Sequence, residues 1–269
     1  GVWLSNLRAR GRDDLGDDWR PDVRADHDHA GVELPVTLDL HIIHCAEPEP
    51  WLLRCLQSLG TLPYRVIAGA GRSTAENRAR AIADSSAEYV AWVDPDDWID
   101  ATQIEPMLDA LAARPDAAGA FSAEALVDEQ GAVIKAPDLA PGDWRPLSQI
   151  TSPRYAHNLT ILRRSAALPH LDAMQPFPAL SEYVLKSLAT RSGPLLRVPV
   201  PAYYWRQHQA QLHRTSTTDE HRRAIQIVSP ALRAHTSGLT RVAATVATIA
   251  HPSRCIACRA VRAITRQTV

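Results

Sequence analysis

Between residues 36 and 93 the chain switches repeatedly between two hydrophobic periods, and that alternation restricts its fold more than any other feature. VTLDLHIIHC (36–45) is β-branched and apolar with partial alternation, the pattern of a strand. EPWLLRCLQSL (49–59) has apolar residues at 51, 52, 55, 56 and 59, the spacing of an amphipathic helix. Pro50 suits its first turn and Gly60 its end. YRVIAGA (64–70) predicts a second strand, and Ser73 with Glu76 makes a capping box that opens a helix reaching about Ser85. EYVAWV (88–93) predicts a third strand, and a helix from about Ala101 to Ala113 follows, ended by Pro115. AGAFSAEALVD, the turn EQG and AVIKA then predict strand, turn and strand. Strands alternating with helices imply right-handed crossovers and an α/β fold, a mostly parallel sheet flanked by helices. Ligands of such sheets bind outside the carboxyl ends of the strands.

The 269 residues are expected to divide into three parts: a polar N-terminal arm over 1–34, expected to be disordered in part, a domain over 35–218, and an Arg-rich extension over 219–269 expected to be helical. Trp3 and Trp19 are the arm's candidate docking points. No run of eighteen apolar residues occurs, so no membrane span is expected. The first residues lack the order of a signal peptide. Four cysteines make no disulfide framework. Cys255 and Cys258 form one C-x-x-C in a helix-like stretch without the second pair that a zinc site needs, so they read as reduced thiols. A reducing, cytoplasmic setting is expected.

The net charge of −1 hides a division. From Arg191 onward there are twelve arginines against only Asp219 and Glu220, a surplus of ten positive charges, whereas the preceding residues carry a surplus of eleven negative ones. Arg259, Arg262 and Arg266 recur at helical spacing as one basic stripe. Docking on the acidic half, an anionic acceptor such as nucleic acid, and peripheral contact with an anionic lipid surface are three uses for it. Few aromatics interleave the arginines, which argues against base stacking.

The third strand runs into a knot of carboxylates, YVAWVDPDDWID (89–100). On extended backbone Asp94 and Asp96 would send their side chains to one side. Close carboxylates repel unless a cation lies between them. Hard divalent cations such as Mg2+ and Mn2+ take carboxylate oxygens and keep positions for phosphate. A solvated turn with Asp94 or Asp97 capping the next helix is the plainer alternative.

EYVAWVDPDDWI resembles the GEYIAFLDSDDWI pattern of family-2 glycosyltransferases with the GT-A fold. The resemblance spans about residues 36 to 215. RSTAENRARAIADSSAEYV is similar to that family's Ser-Thr turn and following helix, and YAHNLTILRRSAAL to a later strand with paired arginines. PALSEYVLKSLATRSG resembles its EDYxLxLRL helix, and VPAYYWRQHQAQLHR its closing YYYRxHxxSLSR segment. The resemblance implies a metal-dependent, inverting transfer of a sugar from a nucleotide-sugar donor, a UDP-sugar first, to a hydroxyl acceptor. It implies Asp94 and Asp96 at Mn2+ or Mg2+, with Asp94 also at the nucleotide, and His208 at the metal or diphosphate. It implies Glu182 as general base, Arg78 or Arg80 at the donor phosphates, and Arg206 either as a further phosphate contact or packed within the closing loop. Lipid-linked acceptors, polysaccharides and DNA with hydroxylated bases belong to its acceptor range.

Two departures mark the donor end. Where the family carries an acidic pair before the Ser-Thr turn, this chain has Ala70-Gly71-Arg72, and His44-Cys45-Ala46 replaces the usual Tyr-Asn. Arg72 and Glu47 are the local substitutes for contacting the nucleotide. A catalytically inactive module that binds a nucleotide or nucleic acid is the alternative function, and a nucleotidyltransferase a third.

Overall fold

The computed structural model describes residues 38–44, 48–68, 72–151 and 155–236, and the statements below concern these. The N-terminal arm, Glu47, Cys255, Cys258 and the Arg259–Arg262–Arg266 stripe lie outside them.

In chain order the elements are β1 (Leu38–His44), α1 (Glu49–Ser58), β2 (Tyr64–Ala68), α2 (Thr74–Asp84), β3 (Tyr89–Trp92), β4 (Trp98–Ile99) and α3 (Ile104–Ala112). Then come β5 (Gly119–Val127), β6 (Val133–Lys135), α4 (Pro146–Thr151), β7 (Thr160–Arg163) and α5 (Arg164–Ala167). The last are α6 (Leu171–Met174), α7 (Ser181–Ala189), β8 (Leu195–Arg206) and α8 (Thr218–Arg233). One sheet runs in the order β2-β1-β3-β7-β5-β8-β4, with β6 paired to β5. β1, β2, β3, β5 and β8 point one way, and β4, β6 and β7 the other.

The period of two in β3 shows why this strand carries no polar residue. Tyr89, Ala91 and Val93 pack into one core with Leu40, Ile42, Met107 and Ile161. Val90 and Trp92 pack into the core on the opposite face with Ile82, Phe177, Leu185 and Ile225. A central strand buried on both faces has to be apolar throughout. The capping box of α2 forms as the spacing predicts: Ser73 Oγ accepts from Glu76 N, and the Glu76 carboxylate accepts from Ser73 N at 2.8 Å. The paired arginines at the end of β7 cover helix C-termini. Arg163 donates to Leu111 O, and Arg164 to Ile82 O and Ala83 O, where a cation meets the negative end of a helix dipole.

The boundary placed at residue 219 falls in the first turn of α8. The apolar face of that helix, Ala224, Ile225, Val228, Ala231 and Leu232, belongs to the core shared with α4 and α7. Pro230 does not end it: the helix continues to Arg233.

Candidate active site

β3 delivers Val93 to the carboxyl edge of the sheet, and there the backbone turns. Asp97 N donates to Asp94 O at 3.0 Å, so Asp94–Asp97 is a tight turn and not the extended segment assumed from the sequence. The two expected metal ligands consequently take different partners. Asp94 Oδ1 lies 3.2 Å from Arg78 Nη2, whereas Asp96 Oδ2 lies 2.7 Å from His208 Nε2. Asp97 is buried inside the turn and accepts from Tyr203 Oη and from Arg206 N, both at 2.7 Å. Tyr203 Oη also accepts from Asp94 N at 3.3 Å. One phenol therefore ties both ends of the turn to β8. The next helical turn is capped not by Asp94 or Asp97 but by Asp100, which accepts from Thr102 N.

Across the edge, α2 and α7 form a closed group of charges. Arg78 is only 3% exposed; it meets Glu182 Oε1 at 2.6 Å, Asp94 at 3.2 Å and Ser181 Oγ at 3.1 Å. Lys186, one turn beyond Glu182 and equally buried, approaches Glu182 Oε2 at 3.4 Å and Asn158 Oδ1 at 3.2 Å. Both cations lie by the Trp92 ring, Arg78 Cζ at 5.1 Å and Lys186 Nζ at 5.7 Å from its centroid.

The ionisation of these groups follows from their neighbours. Burial alone would raise the Glu182 pKa, but Arg78, Lys186 and then His157 outweigh it and hold it at about 2. Asp94 is pushed well above the usual carboxylate range, first by desolvation and then by the charges of Glu182 and Asp96. Asp97 moves the same way, by burial and by its two acidic neighbours. Burial lowers the Lys186 pKa, and Glu182 opposes that shift. Carboxylates driven apart in this way are a frequent mark of functional sites.

A third group supports the late loop. Arg206 donates to the carbonyls of Asp96 at 2.7 Å and Glu129 at 2.5 Å, and its guanidinium lies 4.8 Å from the Trp51 ring and 5.0 Å from the Trp98 ring. Trp51 in turn approaches the His208 ring at 4.8 Å. Of the two uses expected for Arg206, a phosphate contact or packing within the closing loop, the structure shows the second: it is buried beneath the acidic turn. Arg72 is exposed ahead of α2, and Arg80 points to Asp84 on the outer face of that helix, away from the cluster.

For a divalent cation, Asp96 and His208 make a suitable oxygen and nitrogen pair 2.7 Å apart. Among the described residues, however, no three His, Cys, Asp or Glu side chains are arranged to hold a metal ion, because Asp94 faces Arg78. Sequence reasoning brought Asp94, Asp96, Glu182, Arg78 and His208 to one edge, and the structure places all five there. It missed Lys186, Ser181, Asn158 and Tyr203. Only Lys186 carried a readable signal, its i,i+4 spacing from Glu182.

The α/β sheet, with its acidic turn at a carboxyl edge, has the fold of GT-A-like glycosyltransferases. No protein-family profile matches the chain, and no curated protein sequence matches it. Similar solved structures include S. aureus TarS 1-349 in complex with UDP-GlcNAc, at TM-score 0.59 and 10% identity over 79% of this chain and 71% of that one. The uncomplexed form of the same fragment aligns at TM-score 0.56 and 10% identity, and its UDP complex at 0.55 and 9%, each over 79% of this chain and 70% of the other.

Proposed function

We propose that this chain is a glycosyltransferase of the family-2 type, moving a sugar from a nucleotide-sugar donor to a hydroxyl acceptor. The observation that carries the reading is the assembly of Asp94, Asp96 and His208 beside Arg78 and Glu182 at one sheet edge, in a fold shared with a UDP-GlcNAc-binding protein. That neighbour makes a UDP-sugar the first donor to test.

In this reading the acidic turn faces the donor diphosphate. Asp96 and His208, joined by Asp94 once it leaves Arg78, would hold Mn2+ or Mg2+, which when bound supplies Lewis-acid neutralisation of the leaving diphosphate. Arg78 is the cation placed to exchange a carboxylate for a phosphate oxygen. Glu182, ionised at any working pH, sets negative charge beside the anomeric carbon as positive charge gathers there. To serve as the base implied by the resemblance it would first have to part from Arg78 and Lys186, since a carboxylate with a pKa of about 2 is a poor proton acceptor near neutrality. The inactive binding module is the second reading, favoured by that double ion pair and by the missing acidic pair before the Ser-Thr turn.

A thermal-shift panel of UDP-GlcNAc, UDP-glucose, GDP-mannose and dTDP-glucose, with and without Mn2+, tests the donor site. Stabilisation by one donor only with Mn2+, followed by release of its free nucleotide on incubation, is expected. Binding without any turnover, even with hydroxylated DNA, polysaccharide or lipid-linked acceptors, would establish the binding module. No shift with any donor would refute the transferase and a nucleotide-binding module alike.

A further inference from the structure

Beside the charge group of α7 lies a second pair that the glycosyltransferase reading does not use. His157, in the loop before β7, places Nδ1 2.6 Å from Oε2 of Glu124 on β5. Both atoms are buried and neither is in hydrogen-bond alignment, so the approach is an electrostatic contact. The imidazole lies against Trp205 at 4.6 Å and 30°, and edge-on to Tyr203 at 6.2 Å. Tyr203 is the residue whose hydroxyl ties Asp94 to Asp97. The next residue along the chain, Asn158, receives Lys186, which reaches Glu182, and the His157 charge lowers the Glu182 pKa. The pair therefore borders the acidic turn on one side and Glu182 on the other. The charged and titratable groups around it are Glu124 from β5, Tyr203 from β8, and Lys186 and Glu182 from α7. The His157 side chain is 18% exposed, and its Nδ1 is buried, so the exposed area lies elsewhere on the side chain.

We propose that His157, backed by Glu124, is a catalytic residue that takes the proton of the acceptor hydroxyl. The proposal rests on the sugar-transfer reading. Glu124 beside Nδ1 favours the proton there and leaves the Nε2 lone pair free. As the acceptor oxygen bonds to the anomeric carbon, the bond from that carbon to the diphosphate oxygen breaks, and its electron pair leaves with the nucleoside diphosphate. The hydroxyl proton passes to Nε2, and the imidazolium so formed is stabilised by the Glu124 carboxylate. Imidazoles titrate where a general base works best, whereas Glu182 is held by two cations.

The test is the pH dependence of donor consumption, with water as acceptor, for the member of the four-sugar panel turned over fastest. Wild-type kcat/KM should show an acidic limb, as protonation removes the base. H157Q should lose that limb and fall by roughly 10²–10⁴-fold, while keeping its affinity for the nucleoside diphosphate. E124Q should fall less and shift the limb to lower pH, and E182Q should be slower with the limb in place. A wild-type profile flat from pH 5 to 9 overturns the assignment without need of any variant, as does an H157Q enzyme within threefold of wild type. Wild-type protein that binds nucleotide and never consumes a donor overturns the parent reading instead, and His157 with it.

Discussion

Two partly buried charge clusters flank α2, and they are built differently. In the first, Asp39 and His41 on β1 meet Arg65 on β2. Arg65 Nε lies 3.0 Å from Asp39 Oδ1, and Nη2 reaches Asp39 Oδ2 at 2.5 Å, His41 Nε2 at 3.0 Å and Ala81 O at 2.9 Å. Burial opposes ionisation of Asp39, yet His41 and Arg65 overcome it and hold its pKa well below the usual range. In the second, Arg78 is divided between Asp94 and Glu182, and one carboxylate is held down while the other is pushed up. The first cluster satisfies its charges; the second keeps a conflict. Carboxylates with pKa values driven apart are a frequent mark of functional sites, and the proposed donor site rests on the second cluster for that reason.

The sharpest way to break that contrast is Arg65→Met. It strands the Asp39 carboxylate and should lower unfolding free energy by about 3 kcal/mol, measured by urea denaturation, with nucleotide binding unchanged. Loss of nucleotide binding without loss of stability would reverse the two roles. Next is Glu182→Gln, expected to slow donor consumption about 100-fold while the fold melts within a few degrees of wild type.

Asp94→Asn comes third. The ionised form of a carboxyl whose native pKa is raised destabilises the fold, so the neutral amide should leave stability at pH 7 unchanged or slightly higher. Donor affinity in Mn2+ should fall at least tenfold. A smaller effect belongs to pH. Burial lowers the His41 pKa below its ordinary 6.5, against the pull of Asp39. Below pH 6.5 the unfolded chain takes a proton that the native chain refuses. Stability should therefore be full above that pH and decline as pH falls toward the folded value, and His41→Gln should flatten this limb in melting curves. The smallest is Arg80→Ala. Its partner Asp84 is 3.5 Å away and both side chains are more than half exposed, so stability should change by no more than ~0.5 kcal/mol.

Local features were legible to the extent that their causes were local. The Ser73 capping box, the apolar stripe of α1 and the all-apolar β3 each depend on residues within one element, and each formed as read. The two arginines at the end of β7 were visible as a motif, but their use at the ends of α2 and α3 was not, because those carbonyls come from distant parts of the chain. Asp94-x-Asp96 was read on extended backbone. The turn that separates them is held by Tyr203 and Arg206, far along in sequence. Pro230 lies inside α8, and the packed apolar face of that helix carries it past the proline.

The order of hydrophobic periods along the chain was enough to determine an α/β fold with an acidic edge, because strand and helix patterns are set by side chains two to four residues apart. Only the tertiary structure decided which carboxylate pairs with which cation, that β7 runs against its neighbours, and that His157 stands beside Glu124. Those outcomes depend on distances across the sheet and on burial, and neither is encoded in the spacing of residues along one strand or helix.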